Sequence, residues 1–165
     1  MAARGRQRSS PLQIPSPVTI VQLYMSSTSP AKDSVEITAD PSAFLAVVLN
    51  EPARARILEL SQGAELRAPA SLRWEIGNAL SAILKRGRMA LPEVERALAS
   101  FSQIPVKLSD VSLASSVRIA AENGVYAYDA YVLECALRHG TPLLSLDARQ
   151  CEVAERLGIE VLEVA

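Results

Sequence analysis

Four carboxylates stand out by the company they keep along the chain. Asp40 closes the β-type run Val35-Glu36-Ile37-Thr38-Ala39 and is followed by Pro41-Ser42. Asp147 closes a second such run, Pro142 to Leu146, with Ser145 two residues before it. Glu75 interrupts a helical stretch whose apolar face is marked by Leu72, Ile76, Ala79 and Leu80; Ser71 four residues back and Asn78 three residues on extend it into one polar stripe. Asp129 opens a helical pattern between Tyr128 and Tyr131. No basic residue is directly beside any of the four.

Taken singly, each has an ordinary explanation: Asp40, Asp129 and Asp147 as helix N-caps, Glu75 as part of a solvated face. Taken together they suggest chemistry. Converging carboxylates repel, which raises their pKa values and costs stability unless a cation offsets the charge. Hard oxygen donors select Mg²⁺ or Mn²⁺, and an all-carboxylate site with open water positions suits phosphodiester hydrolysis. No histidine is required. The only one, His139, adjoins Gly140 and reads as a C-terminal helix residue. Cys135 and Cys151 lack metal-type spacing and are expected to be reduced core thiols, although their separation alone leaves pairing open.

For the four acids to meet, the chain must place them beyond the carboxyl ends of parallel strands, where open α/β sheets form their functional crevice. The pattern supports this, because short β-type runs alternate with longer helical ones. Strands are expected at 35–39, 66–68, 106–108, 142–146 and 160–162. Helices are expected at 42–49, 53–61, from a Ser71 cap to Arg86, 92–102, from an Asp110 cap to Asn123, 128–138 and 149–157. Gly87, Gly124 and Gly140 supply stops. The expected fold is a three-layer α/β/α sandwich around a mainly parallel sheet of about five strands, with right-handed crossovers.

The chain's 165 residues suit one domain. An apolar content of 49% with 21% charged residues excludes wholesale disorder. The net charge of -1 excludes a nucleic-acid binder working by bulk charge. Aromatics at 4% argue against a broad surface of stacking rings. The longest apolar run, Ala43 to Leu49, falls far short of the roughly 20 residues that span a bilayer. A soluble, cytoplasmic protein without a membrane partner is therefore expected. Residues 1–33 stand apart: Arg4, Arg6, Arg8 and Lys32 face only Asp33, amid four prolines and scattered Ser and Thr. They read as an extended tail, or as an artefact of a start mis-assigned ahead of Met25. The domain proper, 34–165, carries 13 basic against 17 acidic residues.

The motifs in order resemble the PIN domain. They are Asp40-Pro41-Ser42-Ala43 after a strand, Asn50-Glu51-Pro52, Glu75-Ile76-Gly77-Asn78-Ala79-Leu80, Tyr128-Asp129-Ala130-Tyr131, Pro142-Leu143-Leu144-Ser145-Leu146-Asp147 and Gly158-Ile159-Glu160-Val161. Size and motif order are most similar to the VapC toxins of type II toxin–antitoxin modules, over about residues 34–164. The resemblance implies a Mg²⁺-dependent endoribonuclease in which Asp40, Glu75, Asp129 and Asp147 are the catalytic, metal-holding quartet. Asp40 and Asp129 match the positions tied most directly to the metal, and Ser42, Asn78 and Ser145 the polar supporting shell. It further implies an RNA substrate, a homodimer and a cognate antitoxin.

Pro41 and Ser145 depart mildly from the family's usual small residue and Thr, and the N-terminal extension has no counterpart in compact toxins of this type. Two further features carry paired readings. Lys85, Arg86 and Arg88 could hold phosphates or simply complement a helix end. Phe44, Leu45, Val48, Leu49, Ile57, Leu58 and Leu60 could form an antitoxin groove or core. Against the nuclease stand a non-catalytic RNA- or protein-binding module on the same scaffold and a small-molecule phosphatase, the latter lacking an Asp-x-Asp pair.

Overall fold

The computed structural model describes residues 35–164; the tail at 1–33 lies outside them. Four strands form one sheet: β1 (Glu36–Ala39), β2 (Glu65–Pro69), β3 (Val106–Ser109) and β4 (Leu143–Leu144). Their order is β3-β2-β1-β4 and every pairing is parallel. The helices are α1 (Pro41–Val48), α2 (Arg54–Leu60), α3 (Leu72–Lys85), α4 (Leu91–Phe101), α5 (Leu113–Asn123), α6 (Ala127–His139) and α7 (Ala148–Arg156).

Alternation along the strands makes the layers. Ile37 and Ala39 of β1 and Leu66 and Ala68 of β2 join a core with Phe44, Val47, Ile57, Leu72, Ile76, Leu80 and Val94 from the first four helices. Leu143 of β4 turns the other way, into a second core with Leu133, Val132, Val153 and Ile159. The expected three-layer sandwich is present, with its acids still to be placed. Thr38, between Ile37 and Ala39, is fully buried and pairs its hydroxyl with that of Thr141 at 2.7 Å.

On the strands lies a polar ladder that no sequence pattern announced. Arg67 donates to both Glu36 carboxylate oxygens (2.7 and 2.8 Å) and to the Ser109 hydroxyl (2.7 Å). Lys107 adds ion pairs to Glu36 and Glu65. The Arg67 guanidinium beside Glu36 holds that carboxyl below its ordinary value.

Three expectations need correction. The segment 160–162 does not extend as a strand: it joins the sheet by one parallel bridge, Leu143 to Val161. Its neighbour β4 is only two residues long because the chain turns at Ser145, whose hydroxyl accepts the Asp147 N–H (3.0 Å). The cap of α5 is Ser112, not Asp110: β3 runs through Ser109, so Asp110 follows the strand directly and the chain turns before the helix begins. Ser71 does not cap α3 through its side chain; its hydroxyl donates to Glu75 instead. The glycine stops are borne out at Gly124 and Gly140, whose φ of +63° and +61° falls in the left-handed region that favours glycine.

Candidate active site

Each of the four acids stands at the start of a helix. Asp40 ends the central strand and caps α1, its Oδ2 accepting the Ser42 N–H at 2.8 Å. Its own backbone N–H binds the Leu144 carbonyl (2.9 Å), which fixes it beside the end of β4. Asp147 follows that strand and caps α7, its Oδ1 accepting the Gln150 N–H at 2.8 Å. Glu75 lies in the first turn of α3, where the Ser71 hydroxyl reaches Oε1 at 2.7 Å. Asp129 lies in the first turn of α6 and accepts the Tyr126 N–H at 3.3 Å. The capping reading is thus correct for Asp40 and Asp147, yet it does not exhaust them, because a helix N-terminus also favours negative charge nearby.

The acids feel one another. Burial pushes the Asp40 carboxyl above its ordinary value, and the charge of Asp147 pushes it further. Burial likewise raises Glu75, with Asp40 and Asp129 adding to the shift. Asp129 is raised by burial and then by Asp147. These influences link the four into one electrostatic neighbourhood. The same field reaches Cys151, whose thiol is raised by burial and by Asp147 and Asp40. None of the four has an ion-pair partner among the described residues: the salt bridges there use Glu36, Glu59, Glu65, Glu134 and Glu152. Among the described residues no group of three or more His, Cys, Asp or Glu side chains stands close enough to hold a metal ion as placed. The donor chemistry nevertheless fits a hard divalent cation, since four oxygen donors carry mutual repulsion with no protein cation to offset it.

The supporting residues divide. Ser42 accepts the Leu146 N–H on its hydroxyl (3.0 Å), tying the start of α1 to the loop after β4. Ser145, buried, organises Asp147 as described. Asn78 is exposed on α3. A residue that the sequence reading missed belongs with them. Gln150 is 1% exposed; its backbone N–H holds Asp147, its side chain works against the upward shift of the Asp40 carboxyl, and its Nε2 lies 3.5 Å from the Asp129 carbonyl oxygen. Its Oε1 is buried with no partner. The signal was present as Asp147-x-x-Gln150, the spacing of a capping box.

Other candidates fall away from the crevice. His139 is exposed in the last turn of α6, ten residues beyond Asp129 and so roughly 15 Å along the helix. Lys85, Arg86 and Arg88 are exposed at the far end of α3, a similar ~15 Å from Glu75. Phe44, Val48, Leu49 and Ile57 are buried and Leu45, Leu58 and Leu60 pack against them, so these residues serve the core. Both cysteines are free, and burial pushes the Cys135 thiol up to about 11, as expected of an unreactive thiol.

A pH dependence follows from these shifts. A carboxyl whose folded pKa exceeds its unfolded one contributes stability that is fully present below the unfolded value, about 4, and lost as pH rises through the folded value. Asp40, Glu75 and Asp129 all act in this sense; Glu36, lowered by Arg67, acts in the opposite one. The chelator-treated protein should therefore melt at a higher temperature just above pH 4 than at pH 7, with Mg²⁺ flattening the slope. Thermal melts across that range check this, and a metal-free melting temperature that rises toward pH 7 would count against it.

The structure is an α/β/α sandwich in which Asp40 and Asp147 follow parallel strands and Glu75 and Asp129 lie in the first turns of helices. The chain belongs to the PIN domain family, whose sequence model matches residues 37–156. The fold is similar to the crystal structure of PAE2754 from Pyrobaculum aerophilum, with 22% identity, a TM-score of 0.53, and coverage of 74% of this chain and 92% of that one. It is also similar to VapBC2 from Rickettsia felis, solved bound to a DNA fragment from its promoter, with 12% identity, a TM-score of 0.53, and coverage of 78% and 98%. No curated protein sequence matches the chain. At these identities the structural likenesses speak for the fold alone.

Proposed function

We propose that this protein is a Mg²⁺-dependent endoribonuclease, with Mn²⁺ an acceptable substitute, acting as the toxin of a type II toxin–antitoxin module. The observation that carries the reading is the set of four mutually repelling carboxylates, without a protein countercharge, at the carboxyl edge of a PIN-family sheet. Asp40, Glu75, Asp129 and Asp147 would hold the ion. When bound, it supplies the positive charge that favours ionisation of a water and offsets charge developing on the leaving oxygen. The chain's own residues prepare the site. The Ser42 and Ser145 hydroxyls lock the loops that carry Asp40 and Asp147. The Ser71 hydroxyl fixes one Glu75 oxygen and leaves the other free to accept a bond.

A cognate antitoxin, a homodimeric state and a cytoplasmic location belong to the same reading. The likeness to the VapBC2 fold supports it, as does the absence, among the described residues, of any helix long and apolar enough to cross a membrane. The test is cleavage of RNA by the purified chain with Mg²⁺, silenced by chelation, together with calorimetric titration of the metal. Binding of RNA without Mg²⁺ or Mn²⁺ binding and without cleavage would replace the nuclease with a non-catalytic binding module. Growth inhibition on expression, relieved by a small protein encoded immediately upstream, is the expected result for the toxin role.

A further inference from the structure

A nuclease of this composition has a binding problem. RNA is a polyanion, the chain's net charge is -1, and its densest basic cluster lies at the wrong end of α3. Attraction must come from something other than bulk charge. Six aromatic side chains occur among the described residues: Phe44, Trp74, Phe101, Tyr126, Tyr128 and Tyr131. The two phenylalanines pack edge to face in the core. The three that are exposed are Trp74 (70%), Tyr126 (85%) and Tyr128 (48%). All three adjoin the acids: Trp74 precedes Glu75 in the first turn of α3, Tyr128 precedes Asp129, and the Tyr126 backbone N–H bonds the Asp129 carboxylate.

We propose that Trp74, Tyr126 and Tyr128 are base-stacking residues that seat a single-stranded RNA segment across the acidic crevice. The inference rests on the nuclease reading and names its substrate class. Rings presented to solvent take up the faces of unpaired bases, whereas a duplex has those faces occupied by its own stacking. Tyr128 is held for the purpose by Tyr131, which packs edge-on against it at 5.6 Å. Arg73, exposed beside Trp74 and without a bonded partner among the described residues, is placed to take a phosphate of the same strand. Composition alone excluded a broad aromatic platform; a small one at the site needs only three rings.

Trp74 is the chain's single tryptophan, so its fluorescence reports this place alone. The Asp40→Asn chain, which binds without cutting, should show quenching with a short mixed-sequence single-stranded RNA. It should not respond to the same strand made abasic or folded into a perfect hairpin. Trp74→Ala and Tyr126→Ala, both surface changes, should each weaken binding roughly ten- to a hundredfold and raise KM far more than they lower kcat. Variants that bind and cut as the parent does would overturn the inference and leave the nuclease intact. Emission that shifts with protein concentration alone, and not with RNA, would assign the rings to a second copy of the chain and also overturn it. A parent that cuts no RNA, while Trp74 still responds to single strands only, would sink the nuclease reading and support the stacking one.

Discussion

Asp40→Asn should lose RNA cleavage by more than roughly 100-fold, the upper end of what changes behind a metal's direct ligands cost, while the metal-free fold stays at least as stable. The two halves of this expectation come from different atoms. As a cap, Asp40 needs one oxygen to accept the Ser42 N–H, and asparagine supplies it equally well. As a charge, it is buried at 8% exposure and raised by desolvation and by Asp147, so neutralising it removes a repulsion. Gln150 can follow the change. Its side-chain Oε1 is buried without a partner, so an amide N–H on the new Asn could be taken up there. Asp40→Ala should lose activity to the same degree but also about 1 kcal/mol of stability with the cap. Pairing Asp40→Asn with Asp129→Asn should add little further loss of rate, because residues acting as one unit are not additive. Steady-state cleavage beside chemical denaturation measures both halves. An Asp40→Asn chain within tenfold of the parent's activity would remove Asp40 from the chemistry.

The legible part of this protein is the part that local rules control. Periods of two and 3.6 located the sheet and helices, and an acid after a strand is a local event, which is why the places of Asp40 and Asp147 at the strand ends could be read from sequence. Glu75 and Asp129 were legible only jointly with them, since first-turn acids are common on any helix. What escaped was set by tertiary partners. Gln150 reads as a polar helix residue until α7 docks and buries it against Asp40. Arg67, inside a five-residue strand, reads as the solvent side of an alternation; only the parallel register that lays β2 between β1 and β3 brings Glu36 and Ser109 to its guanidinium. The fifth strand is reduced to a single bridge for the same reason. Glu160-Val161-Leu162 has the right composition, but the length of a parallel pairing is limited by its neighbour, and β4 is cut short by the turn that places Asp147. In that case the site took precedence over the sheet.

Phe44→Ala should cost the upper part of the roughly 3–5 kcal/mol typical of truncating a buried phenylalanine, the largest stability loss expected of a single core change here. Phe44 is 2% exposed and stacks edge to face on Phe101, with ring centroids 5.8 Å apart at 88°. The contact joins α1 to α4 across the first core. The surroundings cannot close over the loss. A gap of about 10 Å³ already lies beside the ring, bordered by Ala39, Ala43, Ile57, Leu66 and Leu144. Two of those neighbours are alanines too short to move in, so truncation enlarges an existing void. Against a total stability of about 5–15 kcal/mol this is a large fraction, and it corresponds to a fall in Tm of roughly 8–15 °C. Phe44→Leu, keeping most of the volume, should lose less than half as much. The function should follow by a defined route. Phe44 lies one helical turn beyond Asp40, on the helix that Asp40 caps, so loosening α1 blurs the position of one carboxylate while leaving Asp129 and Asp147 on other helices. Mg²⁺ affinity in Phe44→Ala, measured by calorimetry well below the melting temperature, should therefore weaken less than in Asp40→Asn. A Phe44→Ala chain that binds metal as poorly as Asp40→Asn would mean that the crevice is assembled by the core rather than by its own capping bonds.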